Sequence, residues 1–335
     1  MNVLVRAASL THYTEVARSV GLDPRRMLAD AELSSNVLAE PDLRIPVARV
    51  NSLLERSAAV SGVEAFGLRM AESRQLSNLG PVGMLIRDQP TLRESLAVLV
   101  RYQVLLNGAM SLLIEEAAGV VVIREDVVAG EGAPVRQAIE LAIGVMVRLM
   151  RQFLGAQWRP RRVCFTHAAP KDLSTHMRVF GPCVEFKHDF NGVVCAAGDL
   201  DTPNPSGDPA MARYAQQLLD TALQVQAPSM SEEVRRTALL LMPGGRCSIE
   251  QVALHLGLVC RTVQRRLAEE GTSFSDLVNE LRIDLAKRHV KGSDRALTDV
   301  AALLGFSAPS GFSRWFHAQF GCSPSQARQA GGKVS

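Results

Sequence analysis

Apolar residues three and four apart recur along most of this chain, and one stretch departs from that spacing. Val50, Leu53 and Leu54 with Ser57 mark an early helix, and Leu92, Leu96, Leu99 and Val100 mark another over about 91–106. Pro24 and Pro46 sit where first-turn prolines belong. Between about 111 and 127 the pattern changes. Ser111–Glu116 and Val120–Val127 are rich in β-branched residues and flank Ala117-Ala118-Gly119, which predicts a hairpin. A long amphipathic helix is expected over about 133–154. Short strands are expected at Arg162–Thr166, Val184–Lys187 and Val193–Cys195, around a helix near Pro170–Phe180. This mixture predicts an α+β domain over residues 1–207, closing in the loop Asp201–Pro209.

A helix over about 209–226 follows, within a connecting segment of residues 208–230. Its Met211, Ala215, Leu218, Ala222 and Val225 form a seam at alternating spacings of four and three. That seam suits a dimer contact or packing on its own domain. Ala227-Pro228-Ser229 then reads as a linker into an all-α domain over 231–330.

Within that last domain one pattern occurs twice. Ile249, Val252, Ala253, Leu256 and Gly257 return in type and spacing as Leu297, Val300, Ala301, Leu304 and Gly305. Each is followed by a turn and a second helix bearing Arg265 or Arg314. A helix, a tight turn and a second helix is the unit that places side chains in the major groove, so two helix-turn-helix units joined by a linker helix are expected. In the first unit Ser248 and Gln251 signal the helix start, and Val263 and Leu267 face inward at i, i+4. Arg261, Thr262, Gln264 and Arg265 are thereby left outward near the start of the recognition helix. Arg can fork onto guanine and Gln onto adenine. In the second unit Ser307 is the expected cap, Phe312 and Phe316 point inward, and Ser310, Ser313 and Arg314 face out. The spacer helix over about 275–290 buries Leu277, Leu281 and Leu285 and sets the two units about one DNA turn apart.

Charge supports this division modestly. From Met230 onward there are 14 Lys and Arg against 10 Asp and Glu, and the rest of the chain carries 23 against 24. Six scattered cysteines without a C-x-x-C motif read as reduced thiols of a cytoplasmic protein, and neither a signal peptide nor a bilayer-crossing run is evident. Strand alternation is expected to scatter Cys164, His167, His176, Cys183, His188 and Cys195, so no metal is expected. No phosphate-binding glycine loop, dinucleotide fingerprint, HExxH or nucleophile elbow is present, so no cofactor is implied. Trp158-Arg159-Pro160-Arg161-Arg162 reads as a basic solvated loop. The helix-turn-helix mimic at Tyr13–Leu28 lacks a long outward polar face and reads as packing.

At this point the chain resembles a known family. Arg261-Thr262-Val263-Gln264-Arg265-Arg266-Leu267, Gly271-Thr272-Ser273-Phe274, Gly305-Phe306-Ser307 through Trp315-Phe316, and Phe320-Gly321-Cys322-Ser323-Pro324 are similar to the DNA-binding domain of AraC/XylS-type regulators. Leu79-Gly80-Pro81-Val82-Gly83, Thr91–Leu96 and Phe180–Phe186 resemble the arabinose-binding-type regulatory domain, in the branch that includes ornithine-utilisation regulators. Two departures stand out: Val259 where a capping Ser is frequent, and His317-Ala318-Gln319 where the stretch is usually basic. The resemblance implies a dimeric transcription factor that binds promoter DNA, senses a small molecule through its N-terminal domain and communicates with RNA polymerase. Arg87, Arg101 and Tyr102, near the apolar helix, are the candidates to hold an anionic effector. An alkyl-transfer enzyme fused to such a module would need Pro-Cys-His-Arg, whereas Pro182-Cys183 is followed by Val184-Glu185. An N-terminal domain that only dimerises is the remaining alternative.

Overall fold

The computed structural model describes residues 3–128, 133–291 and 295–331. Buried apolar side chains gather in two clusters, one running from Val5 to Leu219 and the other from Met230 to Ala327. The first region opens with β1 (Leu4–Arg6), α1 (Tyr13–Ser19) and α2 (Pro24–Asp30), and then β2 (Arg44–Pro46), which pairs antiparallel with β1. Helices α3 (Val47–Ser61), α4 (Phe66–Ala71), α5 (Pro81–Arg87) and α6 (Leu92–Leu106) follow. Next come β3 (Met110–Ala117), β4 (Val120–Val127), α7 (Arg136–Leu154), β5 (Arg162–Cys164), α8 (Ser174–Phe180), β6 (Val184–Glu185), β7 (Gly192–Ala196) and α9 (Ala197–Leu200). The sheet runs β3-β4-β7-β5-β6, antiparallel except between β5 and β6. Helices and strands interleave along the chain, but the sheet is mostly antiparallel and helices pack on it, which makes this an α+β domain. The two longest predicted strands, β3 and β4, match their ranges to within a residue. β5 and β6 end two residues early, because beyond Cys164 and Glu185 the ladder is replaced by isolated bonds such as Lys187 N–H to His167 O.

α7 follows the helical periodicity of its apolar residues. Ile139, Ile143, Met146, Val147 and Met150 form its buried stripe, facing α3 and α4 on one side and the sheet on the other. Helix α10 (Pro209–Val225) starts at Asp208, whose carboxylate accepts from the Ala210 and Met211 amides. Of the two readings of its seam, packing on its own domain is seen: it packs on α5 and α6, with Ala215 and Leu219 buried in the first cluster.

The second region is all helical: α11 (Met230–Leu241), α12 (Ile249–His255), α13 (Cys260–Glu269), α14 (Phe274–Lys291), α15 (Leu297–Leu303), α16 (Pro309–Phe320) and α17 (Pro324–Gly331). Ser229 caps α11 reciprocally with Glu232, and the Glu270 carboxylate just past α13 accepts from the Met230 and Ser231 amides. The first recognition helix and the entry to the domain are thus tied together. The two turn glycines, Gly257 and Gly305, both adopt left-handed backbone, with φ of 65° and 74°. They differ in surroundings. A Cβ on Gly257 would meet open space, whereas one on Gly305 would stand 2.9 Å from the Met242 carbonyl oxygen. Gly257→Ala should therefore cost about 1–2 kcal/mol for the backbone alone. Gly305→Ala should cost measurably more in thermal unfolding, and equal losses would mean the Met242 contact is relieved freely.

The two regions touch extensively. α11 lies against β3 and β4, and Leu113 and Val128 pack into the second cluster. Arg246 Nη1 meets Glu115 Oε1 at 2.6 Å, and Arg288 Nη1 lies 3.8 Å from Asp126 Oδ1. Arg295 Nη1 donates to the carbonyls of His188 (2.9 Å) and Thr166 (3.1 Å). Part of the basic excess of the C-terminal region therefore faces its own N-terminal domain. Among the described residues no helix is long and apolar enough to cross a membrane.

Candidate nucleic-acid interface and internal cavity

Two surfaces are built by the repeated units. In the first, α12 is capped by Ser248, whose hydroxyl accepts from the Gln251 amide. Val252 and Ala253 are buried against α13, which anchors itself through Val263 and Leu267. With those two inward, Arg261, Gln264 and Arg265 are exposed and Thr262 is half-buried. Arg261 and Gln264 thus lie on the outer face. Arg265 is bound to Glu269 at 2.6 Å, an exposed i, i+4 pair. Such a pair is worth only about 0.3–0.5 kcal/mol, so it can release to a phosphate. The α13 N-cap is Val259, which makes no side-chain bond, in line with the loss of a capping Ser.

In the second unit Phe312 and Phe316 are buried and Ser310, Ser313 and Arg314 are exposed. The expected Ser307 cap is not realised. The cap position falls one residue later on Ala308, with Pro309 at the first helical position and no side-chain bond. Phe306, Phe312, Trp315, Phe316 and Phe320 form one aromatic cluster, and Trp315 Nε1 donates to Asn279 Oδ1 of α14 at 2.8 Å. That bond ties the second recognition helix to the spacer. The spacer's 18 residues span about 27 Å. Arg288, near the end of the spacer, is nearly buried and faces Asp126.

A cavity of about 140 Å³ lies inside the first domain, walled chiefly by apolar side chains from α3, α6, α7 and β4. Arg6, Ser9, Asn51, Arg74 and Glu125 also line it. Ser9 Oγ, Asn51 Nδ2, Arg74 Nε and Glu125 Oε1 are buried there without a hydrogen-bond partner. Burial alone pushes Glu125 up to about 8, so its carboxyl is mostly protonated at neutral pH. Burial likewise lowers Arg74 to about 10, which leaves it cationic. Buried polar groups are ordinarily paired, so a cluster of unpaired ones around a void marks a binding site.

None of Arg87, Arg101 and Tyr102 lines this cavity. Arg101 and Tyr102 come together on Asp220 of α10, at 2.8 and 2.5 Å, and Arg87 pairs with its neighbour Asp88. Burial, then the bond to Asp220, raises the Tyr102 phenol to about 12. Arg101 and Tyr102 thus fasten α6 to α10. The residues that do line the cavity had one legible signal. Along β4 the inward positions read Val121, Ile123, Glu125, Val127, and a carboxyl in an otherwise apolar alternation is out of place.

The fold also gathers groups expected to be scattered. Cys164, Glu185 and His188 present ligand atoms within 4.8 Å of one another, and Glu140 Oε1 lies 3.3 Å from His167 Nε2 and 3.4 Å from His176 Nε2. Glu185 is half-exposed and also faces Arg162 at 3.9 Å. Parallel pairing of β5 with β6 brings Cys164 opposite Glu185, which sequence spacing alone does not reveal.

Comparison with known proteins decides the family. Residues 21–204 match the N-terminal arabinose-binding domain of AraC transcription regulators, and residues 252–330 match a helix-turn-helix domain. The chain belongs to the AraC family. It is similar along nearly its whole length to the HTH-type transcriptional regulator VirS of Mycobacterium tuberculosis, with 31% identity over 98% of this chain and 97% of that protein. It is similar as well to the ornithine utilization regulator of Pseudomonas aeruginosa, with 26% identity over 98% of this chain and 97% of that one. This AraC-type protein is a DNA-binding transcriptional regulator and not an enzyme. The ββ hairpin, helices and sheet described above constitute its arabinose-binding-type domain.

Proposed function

We propose that this AraC-family regulator controls transcription in response to a small molecule held in the internal cavity of its N-terminal domain. The unpartnered atoms Ser9 Oγ, Asn51 Nδ2, Arg74 Nε and Glu125 Oε1, on residues that line an apolar void, carry the proposal. Arg261, Thr262, Gln264 and Arg265 of α13, with Ser310, Ser313 and Arg314 of α16, meet successive major grooves of promoter DNA, and RNA polymerase is the downstream partner. The functional division follows residues 1–207, 208–230 and 231–330, and the setting is the cytoplasm.

β4 supports a physical link between effector and DNA. Glu125 faces the cavity, and its neighbour Asp126 faces Arg288 of the spacer helix. A ligand that moves Glu125 therefore moves the strand that holds the DNA-binding region. The effector must bind one domain arrangement better than the other, since equal affinity shifts nothing. Homodimerisation through α10 fits its surface. Ala215 turns inward, whereas Met211, Tyr214, Leu218 and Val225 remain exposed at spacings of three, four and seven.

The test is binding of the full-length protein to its own upstream DNA, with and without candidate metabolites. Affinity should fall steeply with rising salt, as counterion release requires, yet stay higher than for random DNA at each salt. A protein that binds all DNA alike is not a specific regulator. Specific binding indifferent to every metabolite would leave the dimerisation-only alternative standing.

A further inference from the structure

We propose that the cavity takes a small monocarboxylate with an apolar body of about six carbons, a ring or a short chain, whose carboxylate pairs with Arg74. This rests on reading the cavity as the effector site. The argument is one of charge balance. Arg74 is 6% exposed. Its Nη1 and Nη2 donate to the carbonyls of Ala8 and Ser9, its Nε donates to nothing, and among the described residues no carboxylate lies within 4.0 Å of it. A buried cation without a counter-ion is costly, and the deficit is met when an anion enters. Arg6, the other cation in the wall, already has Asp42 at 2.6 Å. Glu125 does not serve either, because burial keeps it protonated and burial is the sole cause of its shift.

The neighbouring orphan donors agree with this chemistry. The Ser9 hydroxyl and the Asn51 amide both line the cavity and lack acceptors, and a carboxylate supplies several lone pairs. A neutral sugar or alcohol would satisfy dipoles but leave the charge, and an amine would add to it. Inorganic anions fail on the rest of the wall, where Val50, Leu54, Leu99, Met146 and Leu149 would stay uncovered. The size follows from the 140 Å³ of space, close to the roughly 150 Å³ void that accepts benzene. Protonated Glu125 is left free to hydrogen-bond a substituent on the body without changing net charge.

The test uses full-length protein and four matched probe series: benzoate, hexanoate and octanoate against their amides, alcohols and amines, by calorimetry and thermal shift. The acid of at least one body should bind at least ten-fold tighter than its amide. Arg74→Gln should lose about 10-fold or more for the acid, with little change for the amide, and Arg74→Lys should recover part of it. If Arg74→Gln does not fold, because it also holds the Ala8 and Ser9 carbonyls, Asn51→Ala and the acid-to-amide ratio of the unaltered protein still decide. Amides, alcohols or amines that match the acids would overturn the carboxylate proposal while keeping the cavity as an effector site. Absence of binding by every probe would overturn both.

Discussion

Double replacement of Arg261 and Gln264 by alanine should weaken binding to the specific promoter site by about 2–6 kcal/mol, each bidentate base contact contributing about 1–3 kcal/mol. Both side chains are exposed, and α13 is anchored by Val263 and Leu267 on its opposite face, so thermal unfolding should change by no more than about 0.5 kcal/mol. The discriminating measurement is competition against random DNA. Base-reading residues lose the specific complex and leave the nonspecific one nearly intact. Phosphate-gripping residues weaken both alike and reduce the salt slope by about one per contact. Equal loss on specific and random DNA would show that α13 only grips the backbone. Single variants locate the effect further, because each should relax preference at one base position.

Glu125→Gln should alter the pH dependence of folding. The folded carboxyl keeps its proton up to about pH 8, whereas an unfolded glutamate loses it near its ordinary value of 4.5. Between those two values the native state binds one proton more than the unfolded state. Stability therefore falls as pH rises through that window, by up to about 1.4 kcal/mol per pH unit. Glutamine mimics the protonated acid, so the variant should be more stable than the parent by a few kcal/mol at pH 8 and close to it at pH 4.5. Denaturant titrations across that range check the difference. Parallel pH curves for the two proteins would mean that Glu125 is ionised and paired in solution.

Much of this organisation is legible without coordinates. The repeat at Ile249–Gly257 and Leu297–Gly305 is local, and the inward Val263, Leu267, Phe312 and Phe316 follow from helical spacing alone, which fixes the outward residues by exclusion. The β3–β4 hairpin is equally local, because its partners are adjacent in the chain. Side chains whose partners lie far away in sequence are not legible in this way. Arg101 and Tyr102 look like effector ligands beside an apolar helix, but Asp220 of α10 reaches them from more than a hundred residues away. Ser307 looks like a cap, yet the helix begins one residue later, a boundary that propensity places only to within a residue or two.

What the amino-acid order determined by itself is therefore the inventory of elements, the duplicated unit and the outward faces of its second helices. These depend on contacts between residues a few positions apart, where periodicity and turn chemistry act directly. Only the tertiary structure decided that Ser9, Asn51, Arg74 and Glu125 surround one void, that Arg288 turns to Asp126 and that α10 joins the first core. Those meetings are set by how helices and sheet pack over long sequence separations. Burial and charge pairing are properties of the assembled interior, and no local pattern encodes which distant partner a polar side chain will find or lack.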